Sequence, residues 1–343
     1  MLDWKSILTT DMANWLLEEE NPSVRYFTLK DIFEKSEQDP EVQQAKLEIM
    51  RRGIVPDILR QQRETLYLES FPKFYTNKYM GLVWQLIVLA EMGAVSNPQI
   101  VEQCEYLLNH SQEIVDGGFS QHAAGKTGGG RITEVIPCLT GNLVWSMGHF
   151  GYLDDLRLLR AVNWITRFMR LNDGVEVDPQ VPPYDRYEMC WGKHTCLMGV
   201  VKALKGLSII PQEQRTIEVN DAINKMVEFL LIHHIYKCSH DLSQTSKPGW
   251  LRFSFPLMYQ TDVLEILDIL TGLGITDSRM DDAIDVLLKK QDDMGRWRTV
   301  NTLITDRLLI PMGEKGEQSK WLTLRAIRVL KRCQAGNKLI NKG

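Results

Sequence analysis

The sequence of 343 residues has few of the features of a secreted or a membrane protein. Its six cysteines are scattered and include no C-x-x-C pair, so they do not form a recognisable disulfide framework. The first twelve residues contain the charged Asp3 and no apolar core, so we expect no signal peptide. The most apolar run, Gly81 to Val95, is interrupted by Gln85 and Glu91 and is too short to cross a bilayer. We therefore expect a cytoplasmic protein without an integral membrane segment.

An excess of charge of one sign is also lacking. The 40 lysines and arginines are balanced by 44 aspartates and glutamates, which leaves a net charge of -4. Without a basic excess to contact phosphates, nucleic acid is not an expected partner. The content of 44% apolar and 24% charged residues is ordinary for a globular chain. Whether the chain pairs as a homodimer is left open by the sequence.

Strand patterns are scarce, whereas apolar residues recur throughout at the i, i+3 and i+4 spacing of helices. Four apolar helices are each predicted to end at a glycine, because glycine suits the left-handed position after a helix. These are Gly93, Gly151, Gly206 and Gly274, at spacings of 58, 55 and 68 residues. The sequence therefore predicts an all-α repeat of helical hairpins.

The predicted helices fall into two sets. Six apolar helices, predicted to be inner, cover 22–36, 76–93, 133–150, 187–206, 254–273 and 319–333. Amphipathic helices, predicted to be outer, cover 40–52, 97–110, 155–170, 216–233 and 278–290, with 5–19 to complete the set. Six pairs predict an (α/α)6 toroid that occupies residues 1–343 as a single domain. An open solenoid of helix pairs is the alternative.

Long loops precede the inner helices, at 111–132, 171–186, 234–253 and 298–318. Long loops in a compact fold are often functional. In the predicted ring they all fall on the rim where the inner helices begin, and helix N-termini there favour an anionic group. We therefore expect the mouth of a site at this rim.

Two segments that follow predicted outer helices carry a glutamine, a glycine and an aromatic residue at fixed spacing. QDDMGRW (291–297) matches Q-x3-G-x-W, and QEIVDGGF (112–119) matches it in part. These segments resemble the QW repeats of squalene–hopene cyclase and oxidosqualene cyclase, and the related repeats of protein prenyltransferase β subunits. The chain also resembles small bacterial proteins with prenyltransferase/squalene-cyclase repeats. The resemblance implies the toroid fold, and a structural role for the glutamine and the aromatic residue.

The catalytic motifs of these families are incomplete. The acidic DxDD motif of class II terpene cyclases is absent. The DDAID segment at 281–285 has the spacing of a magnesium motif, but acidic residues at a helix start are favoured by the helix dipole alone. By resemblance to the prenyltransferases, the zinc-binding Asp-x-Cys would correspond to 188–190. The family's histidine position holds Gln260, which is a poor zinc ligand.

A replacement zinc site can be composed from Cys190, His194 and Asp262. Cys190 and His194 share one helix face if the predicted helix 187–206 is continuous. The alternative is that Cys190 is a small buried residue and His194 a hydrogen-bonded core histidine, and we favour this alternative because two ligands do not make a site. A zinc site is therefore the alternative to a site without a metal.

Polar residues predicted at the rim-side ends of the inner helices form the candidate site. The candidate catalytic residues are Asp262, Glu188, Tyr259, His194 and Glu134. The candidate substrate-binding residues are Arg186, Tyr187, Trp191, Arg252, Lys320 and Trp321. Asp262 is the strongest candidate, because a carboxylate in the middle of an apolar helix is costly unless it has a partner.

The resemblance implies an enzyme of the terpene cyclase or prenyltransferase type. Such an enzyme would bind an apolar, isoprenoid-like molecule in the central cavity and would hold an anionic head group with basic residues at the mouth. The first alternative is a hydrolase or lyase that acts on a sugar or a cyclic ketone through paired carboxylates. The second alternative is a non-catalytic binding module that uses an outer face.

Overall fold

The structure, a computed structural model, describes residues 4–66, 72–125, 128–174, 181, 183–186, 188–191, 194–301 and 308–340. This part of the chain is mostly helical, which confirms the predicted all-α class. Helices α1 to α7 are Trp4–Ile7, Thr10–Leu16, Pro22–Phe27, Pro40–Ile49, Ile54–Gln61, Leu82–Glu91 and Pro98–His110. Helices α8 to α15 are Pro137–His149, Leu156–Phe168, Glu188–Trp191, Leu197–Ser208, Ile217–Ile232, Val263–Gly272, Asp281–Lys289 and Lys320–Ile340.

Two short π-helical turns and one β-hairpin complete the main elements. The π turns, Thr28–Ile32 and Gln62–Leu66, extend α3 and α5. The antiparallel hairpin joins β1, Lys237–Cys238, to β2, Asp241–Thr245. No helix in the described ranges is long and apolar enough to span a membrane.

The apolar helices and the amphipathic helices bury different fractions of their surface. All ten residues of α6 are buried, as its sequence LVWQLIVLAE requires. In α9, which is amphipathic, only Leu158, Ala161, Val162, Trp164 and Ile165 are buried. One continuous hydrophobic cluster reaches from Met12 to Cys333 and includes most of the apolar helices.

Six apolar helices, α3, α6, α8, α11, α13 and α15, each pack against an amphipathic neighbour. The pairs are α3 with α4, α6 with α7, α8 with α9, α11 with α12, α13 with α14, and α15 with α1 and α2. The apolar helices also contact one another in the order α6, α8, α11, α13, α15 and α3. The N-terminal helices thus pack against the C-terminal one.

Three of the four predicted terminal glycines have the expected conformation, and one does not. Gly93, Gly151 and Gly274 have φ angles of 72°, 92° and 79°, in the left-handed region. Gly206 lies inside α11, so its predicted role as a helix terminator is wrong. A Cβ atom at Gly206 would lie 2.7 Å from the carbonyl oxygen of Gly141 in α8. Both glycines instead permit the close packing of α8 against α11.

Several predicted helix boundaries are wrong. The predicted helix 187–206 is divided into α10 and α11, and the predicted helix 254–273 begins only at Val263. The predicted helix 5–19 is divided into α1 and α2, because the Thr9 side chain caps a new helix start. Helix α5 was not predicted.

The two QW-like segments close the loops after α7 and α14. The Gln112 side-chain amide donates to the carbonyl oxygen of Arg157 at 2.6 Å, which ties the loop to the first turn of α9. The Gln291 amide donates to the carbonyl oxygen of Gly295 at 2.9 Å, and Trp297 is fully buried. These contacts hold elements of the scaffold together.

Candidate functional site

All six apolar helices contribute side chains to one central cavity of about 270 Å³. Its charged lining consists of Glu91, Lys205, Glu265, Asp268, Arg325, Arg328 and Arg332. Its aromatic lining consists of Phe27, Trp145, His149 and Trp321. Most of these residues lie in the later turns of their helices, whereas the sequence predicts a site where the helices begin.

The first group of charges in the cavity is centred on Lys205. The Lys202 ammonium contacts both carboxylate oxygens of Glu265 at 2.7 Å, and Lys205 reaches Glu265 at 3.3 Å. Lys205 and Arg325 each bind one oxygen of Glu91. All five side chains are buried, and Lys202 is 0% exposed. These charges therefore depend on one another for compensation.

In this group of charges, burial and ion pairing shift the pKa values in opposite directions. Burial alone would raise the pKa of Glu91, but the Arg325 and Lys205 cations outweigh it and lower the pKa to about 2. Burial lowers the pKa of Lys202 to about 8, although the Glu265 carboxylate opposes this shift. Glu91 is thus ionised over the whole physiological range.

The second group is centred on Asp268. Arg328 Nε donates to Asp268 at 2.8 Å, and Arg332 Nη1 donates to it at 3.0 Å. Arg328 also reaches Asp31 at 2.7 Å. Burial would raise the pKa of Asp268, but Arg328 and Arg332 outweigh it and lower the pKa. The carboxylates of Glu91 and Asp268 are therefore ionised and paired with guanidinium groups of α15.

The local sequence places these charges on single helix faces. Charged residues three or four positions apart lie on the same face of a helix. Such spacings occur in three otherwise apolar helices, at Lys202 and Lys205, at Glu265 and Asp268, and at Arg325, Arg328 and Arg332. The sequence carries this signal, but the predicted site was confined to the polar ends of the helices and does not include these charges.

Two arginines of the cavity keep donors that are not used by the protein. Among the contacts of the described residues, Arg325 donates only through Nη2, to Glu91, and Arg332 only through Nη1, to Asp268. The remaining N–H groups of these guanidiniums have no protein acceptor there. The aromatic lining adds apolar surface, including the Trp145 ring 4.0 Å from the Lys205 ammonium. The arrangement suits a ligand that brings hydrogen-bond acceptors and an apolar part.

The structure gives Asp262 a different position from the predicted one. Asp262 precedes α13 as its N-cap and does not lie in mid-helix. Its two carboxylate oxygens accept hydrogen bonds from the backbone N–H groups of Ser254 at 3.0 Å and Glu265 at 2.9 Å. Burial raises the pKa of Asp262 to about 7. The buried carboxyl is therefore partnered by the backbone at the start of a helix.

Tyr259 lies in an aromatic cluster before α13. Its ring stacks on Tyr79 at 6.5 Å and meets the edge of Trp84 at 6.0 Å. The Lys78 ammonium lies 4.4 Å from the centre of the same ring. Burial raises the pKa of Tyr259 to about 12, so its hydroxyl is neutral at physiological pH.

The other predicted residues are dispersed among several local contacts. Glu134 binds His122 at 2.5 Å and Arg131 at 3.2 Å. Arg252 is exposed, and Arg186 Nε lies 3.5 Å from Asp185. Tyr187 and the side chain of Glu188 lie outside the described residues.

Three further predicted residues take part in packing or in surface pairs. Trp191 is buried between the rings of Trp164 and Tyr184, at 5.9 and 5.4 Å. Lys320 forms an ion pair with Glu18. Trp321 stacks on the Phe255 ring at 4.5 Å and is, among the predicted site residues that the structure describes, the one in the lining of the central cavity.

The proposed zinc ligands are not brought together. In the described part of the chain, no three histidine, cysteine, aspartate or glutamate side chains are placed to hold a metal ion. Cys190 lies in α10, which ends at Trp191, so His194 is outside that helix and does not share its face. Burial raises the pKa of Cys190 to about 12, which disfavours the thiolate that a metal requires. Asp262 is engaged by the backbone, as described above.

No protein-family model and no curated protein matches the chain. The resemblance to terpene cyclases and prenyltransferases therefore stays a prediction from the sequence motifs.

Proposed function

We propose that the six apolar helices form the inner layer of an (α/α)6 toroid and that their amphipathic neighbours form the outer layer. The support is the pairing of each apolar helix with one outer partner, including α15 with α1 and α2. The shared cavity, to which all six apolar helices contribute, is a second support.

Within this fold, we propose that the chain binds a small organic anion with an apolar part in the central cavity. The observation that carries the proposal is the unused donors of Arg325 and Arg332 in a cavity that also presents Trp145 and Trp321. Guanidinium groups recognise carboxylates and phosphates with paired hydrogen bonds. The aromatic rings supply surface for the remainder of the ligand.

An isoprenoid diphosphate is the ligand of this class that the sequence resemblance implies. Its diphosphate would face Arg325 and Arg332, and its hydrocarbon part would face Trp145 and Trp321. A plain hydrocarbon fits less well, because it would bury the cavity charges without offering them a hydrogen-bond partner. A cavity of about 270 Å³ favours a short chain.

Acid–base hydrolysis by paired carboxylates is not supported by the same cavity. A glycosidase needs one carboxyl that stays protonated until it donates to the leaving group. The cations around Glu91, Glu265 and Asp268 outweigh the effect of burial and lower the pKa of all three. The sugar hydrolase alternative therefore finds no protonated carboxyl group among the described residues of this cavity.

Native mass spectrometry of the purified full-length chain, followed by solvent extraction, tests the proposal. We expect a co-purifying compound that carries a carboxylate or phosphate group. Arg325→Lys preserves the charge next to Glu91 but removes the guanidinium donors, so it should lose the compound. Arg51→Gln, at an arginine that is 65% exposed, is the matched control and should retain it. A neutral ligand, or equal retention in both variants, would overturn the proposal.

A further inference from the structure

We propose that His149 and Ser208 accept hydrogen bonds from a hydroxyl group of the ligand in the central cavity, so that this ligand is a hydroxylated organic anion. Both residues line the central cavity, and we call them the acceptor pair. The inference rests on the function proposed above and narrows the class of ligand that the cavity takes.

The acceptor pair occupies the last positions of two neighbouring helices, α8 and α11. A Cβ atom at Gly199, near the start of α11, would lie 3.2 Å from the side chain of Pro137, at the start of α8. A Cβ atom at Gly148, near the end of α8, would lie 3.0 Å from the side chain of Ile209, just after α11. The two helices therefore run in parallel and end side by side, so the acceptor pair lies at one end of the cavity.

The hydrogen bond of the His149 ring determines which of its nitrogens is an acceptor. Nε2 lies 3.1 Å from the carbonyl oxygen of Ala94. A carbonyl oxygen can only accept, so Nε2 carries the proton and, in the neutral ring, Nδ1 holds the lone pair. Among the described residues, no group donates to Nδ1, and Nδ1 is not one of the buried atoms that the protein encloses without a partner. The lone pair of Nδ1 is therefore open to a donor of a ligand.

The imidazole ring of His149 is neutral and is held in place by its neighbours. Burial lowers the pKa of His149, although the Ala94 carbonyl group and the Glu91 carboxylate act in the opposite direction. Because histidine has an ordinary pKa of about 6.5, the ring is uncharged at pH 7. The ring stacks on Trp145 at 6.3 Å and meets the edge of Phe150 at 5.1 Å. These contacts and the Ala94 hydrogen bond fix the direction in which Nδ1 accepts.

The hydroxyl group of Ser208 is a second uncharged acceptor. It donates its single proton to the carbonyl oxygen of Lys205 at 2.8 Å. The Ser208 oxygen then keeps its lone pairs, and no group of the described residues donates to it. The acceptor pair thus differs from the carboxylates of the same cavity, which are engaged by lysine and arginine side chains.

The charge of the cavity favours a hydroxyl group over an ammonium group as the donor of the ligand. The described lining carries four cationic side chains and three carboxylates, and each carboxylate already pairs with a cation. A ligand ammonium group would add to this excess of positive charge, whereas a hydroxyl group donates without a charge. A hydroxylated anion therefore finds donors at Arg325 and Arg332 and acceptors at the acceptor pair.

Calorimetric titration of the full chain at pH 7 with two matched ligands tests the inference. The ligands are geranyl diphosphate and hydroxygeranyl diphosphate, which carries a hydroxyl group on a terminal methyl carbon, the end that would face Trp145 and the His149 ring stacked on it. We expect the wild type to bind the hydroxylated ligand about fivefold more tightly. His149→Phe keeps a ring but removes the acceptor, so the ratio of the two affinities should fall to about one. Ser208→Ala should lower this ratio in part, whereas His110→Phe, at an exposed histidine outside the cavity, is the matched control and should keep it.

The outcomes separate this inference from the proposed function. Equal affinity of the wild type for the two ligands would overturn the inference and leave the anion site intact, whereas failure of both ligands to bind would overturn the proposed function and the inference with it. An unchanged ratio in a folded variant at His149 or Ser208 would overturn the role of that residue. Nitrogen-15 NMR of the histidine side chains in the free chain at pH 7 gives a second measurement, for which we expect a protonated Nε2 and an unprotonated Nδ1 at His149. A protonated Nδ1 would overturn the inference whatever the titrations show.

Discussion

The Glu265 carboxylate receives three hydrogen bonds from two buried ammonium groups, those of Lys202 and Lys205. Glu265→Gln would leave Lys202, which is 0% exposed, without its counter-charge. Breaking a buried pair by removing one partner typically costs about 3–5 kcal/mol. We expect a loss of that order in the free energy of unfolding, measured by urea denaturation.

An exposed pair provides the control for Glu265→Gln. Asp221→Asn breaks the pair with Lys225, in which the two side chains are 58% and 65% exposed. Exposed pairs contribute little to stability, so this variant should unfold close to the wild-type urea concentration. Equal effects of the two variants would contradict the account of the buried charges.

The raised pKa of Asp262 predicts how the stability of the fold depends on pH. Burial raises its pKa from 3.8 to about 7, so the folded state binds this proton more tightly than the unfolded state does. The stabilising contribution is therefore present below about pH 4 and is lost as the pH rises through about 7. Asp262→Asn removes the charge and keeps an acceptor oxygen. Relative to wild type, the variant should gain stability between pH 5 and pH 8, as measured by urea denaturation at each pH.

The variant Asp262→Ala tests the contribution of the capping hydrogen bonds separately from that of the charge. It leaves the backbone N–H groups of Ser254 and Glu265 without an acceptor, which we expect to cost about 2 kcal/mol at pH 5. If the difference in stability between wild type and Asp262→Asn did not change with pH, the carboxyl would not titrate in this range.

At the residue scale, local capping chemistry was readable from the sequence and long-range pairing was not. The sequence predicted a helix over 97–110, and α7 begins at Pro98, where the Asn97 side chain accepts from the Ile100 N–H at 2.9 Å. Lys202 and Glu265 are 63 residues apart, so no local rule connects them. The sequence predicted that the Asp262 carboxylate needs a partner. It could not predict that the partners are backbone N–H groups, because their position depends on the fold.

At the scale of helices, glycine controls the contact between α8 and α11. A Cβ atom at Gly206 would lie 2.7 Å from the Gly141 carbonyl oxygen, and neither backbone can move without shifting its helix. We expect Gly206→Ala to destabilise the fold by about 1–3 kcal/mol, the usual cost of overpacking. The thermal unfolding midpoint measures the effect.

Gly272, at the end of α13, is the matched control. Its nearest contact with an added Cβ is the flexible end of Arg332, at 3.4 Å. Alanine is a better helix former than glycine, so Gly272→Ala should be neutral or stabilising by up to about 1 kcal/mol. A Gly206→Ala variant that is as stable as Gly272→Ala would show that α8 and α11 do not pack this closely.

Helix existence was more predictable than helix extent. Apolar periodicity located the cores of α6, α8 and α15, because burial on most sides leaves a continuous apolar pattern. The division of 187–206 was not predicted, because segment 194–196 is held by contacts from elsewhere. Thr195, for example, donates its hydroxyl proton to the carbonyl oxygen of Arg170 at 2.9 Å.

At the scale of the whole molecule, the net charge is only -4, but charged side chains are concentrated around one interior cavity. Seven charged side chains line the central cavity, and four of them are cationic. The sequence predicted six helix pairs and a site at their centre, because repeat spacing is a property of the chain. It did not predict which end of the helices would hold the charges, since that depends on how far each helix extends.

Isothermal titration calorimetry of the full chain with geranyl diphosphate tests the proposed anion site most directly. The account predicts one binding site, with weaker binding of inorganic diphosphate and of geraniol, because each lacks one half of the recognised chemistry. Arg325→Lys should weaken the binding of geranyl diphosphate at least tenfold, and Arg51→Gln should leave it unchanged. Absence of binding, or equal affinity of wild type and a folded Arg325→Lys variant, would contradict the proposal that the central cavity holds a small organic anion.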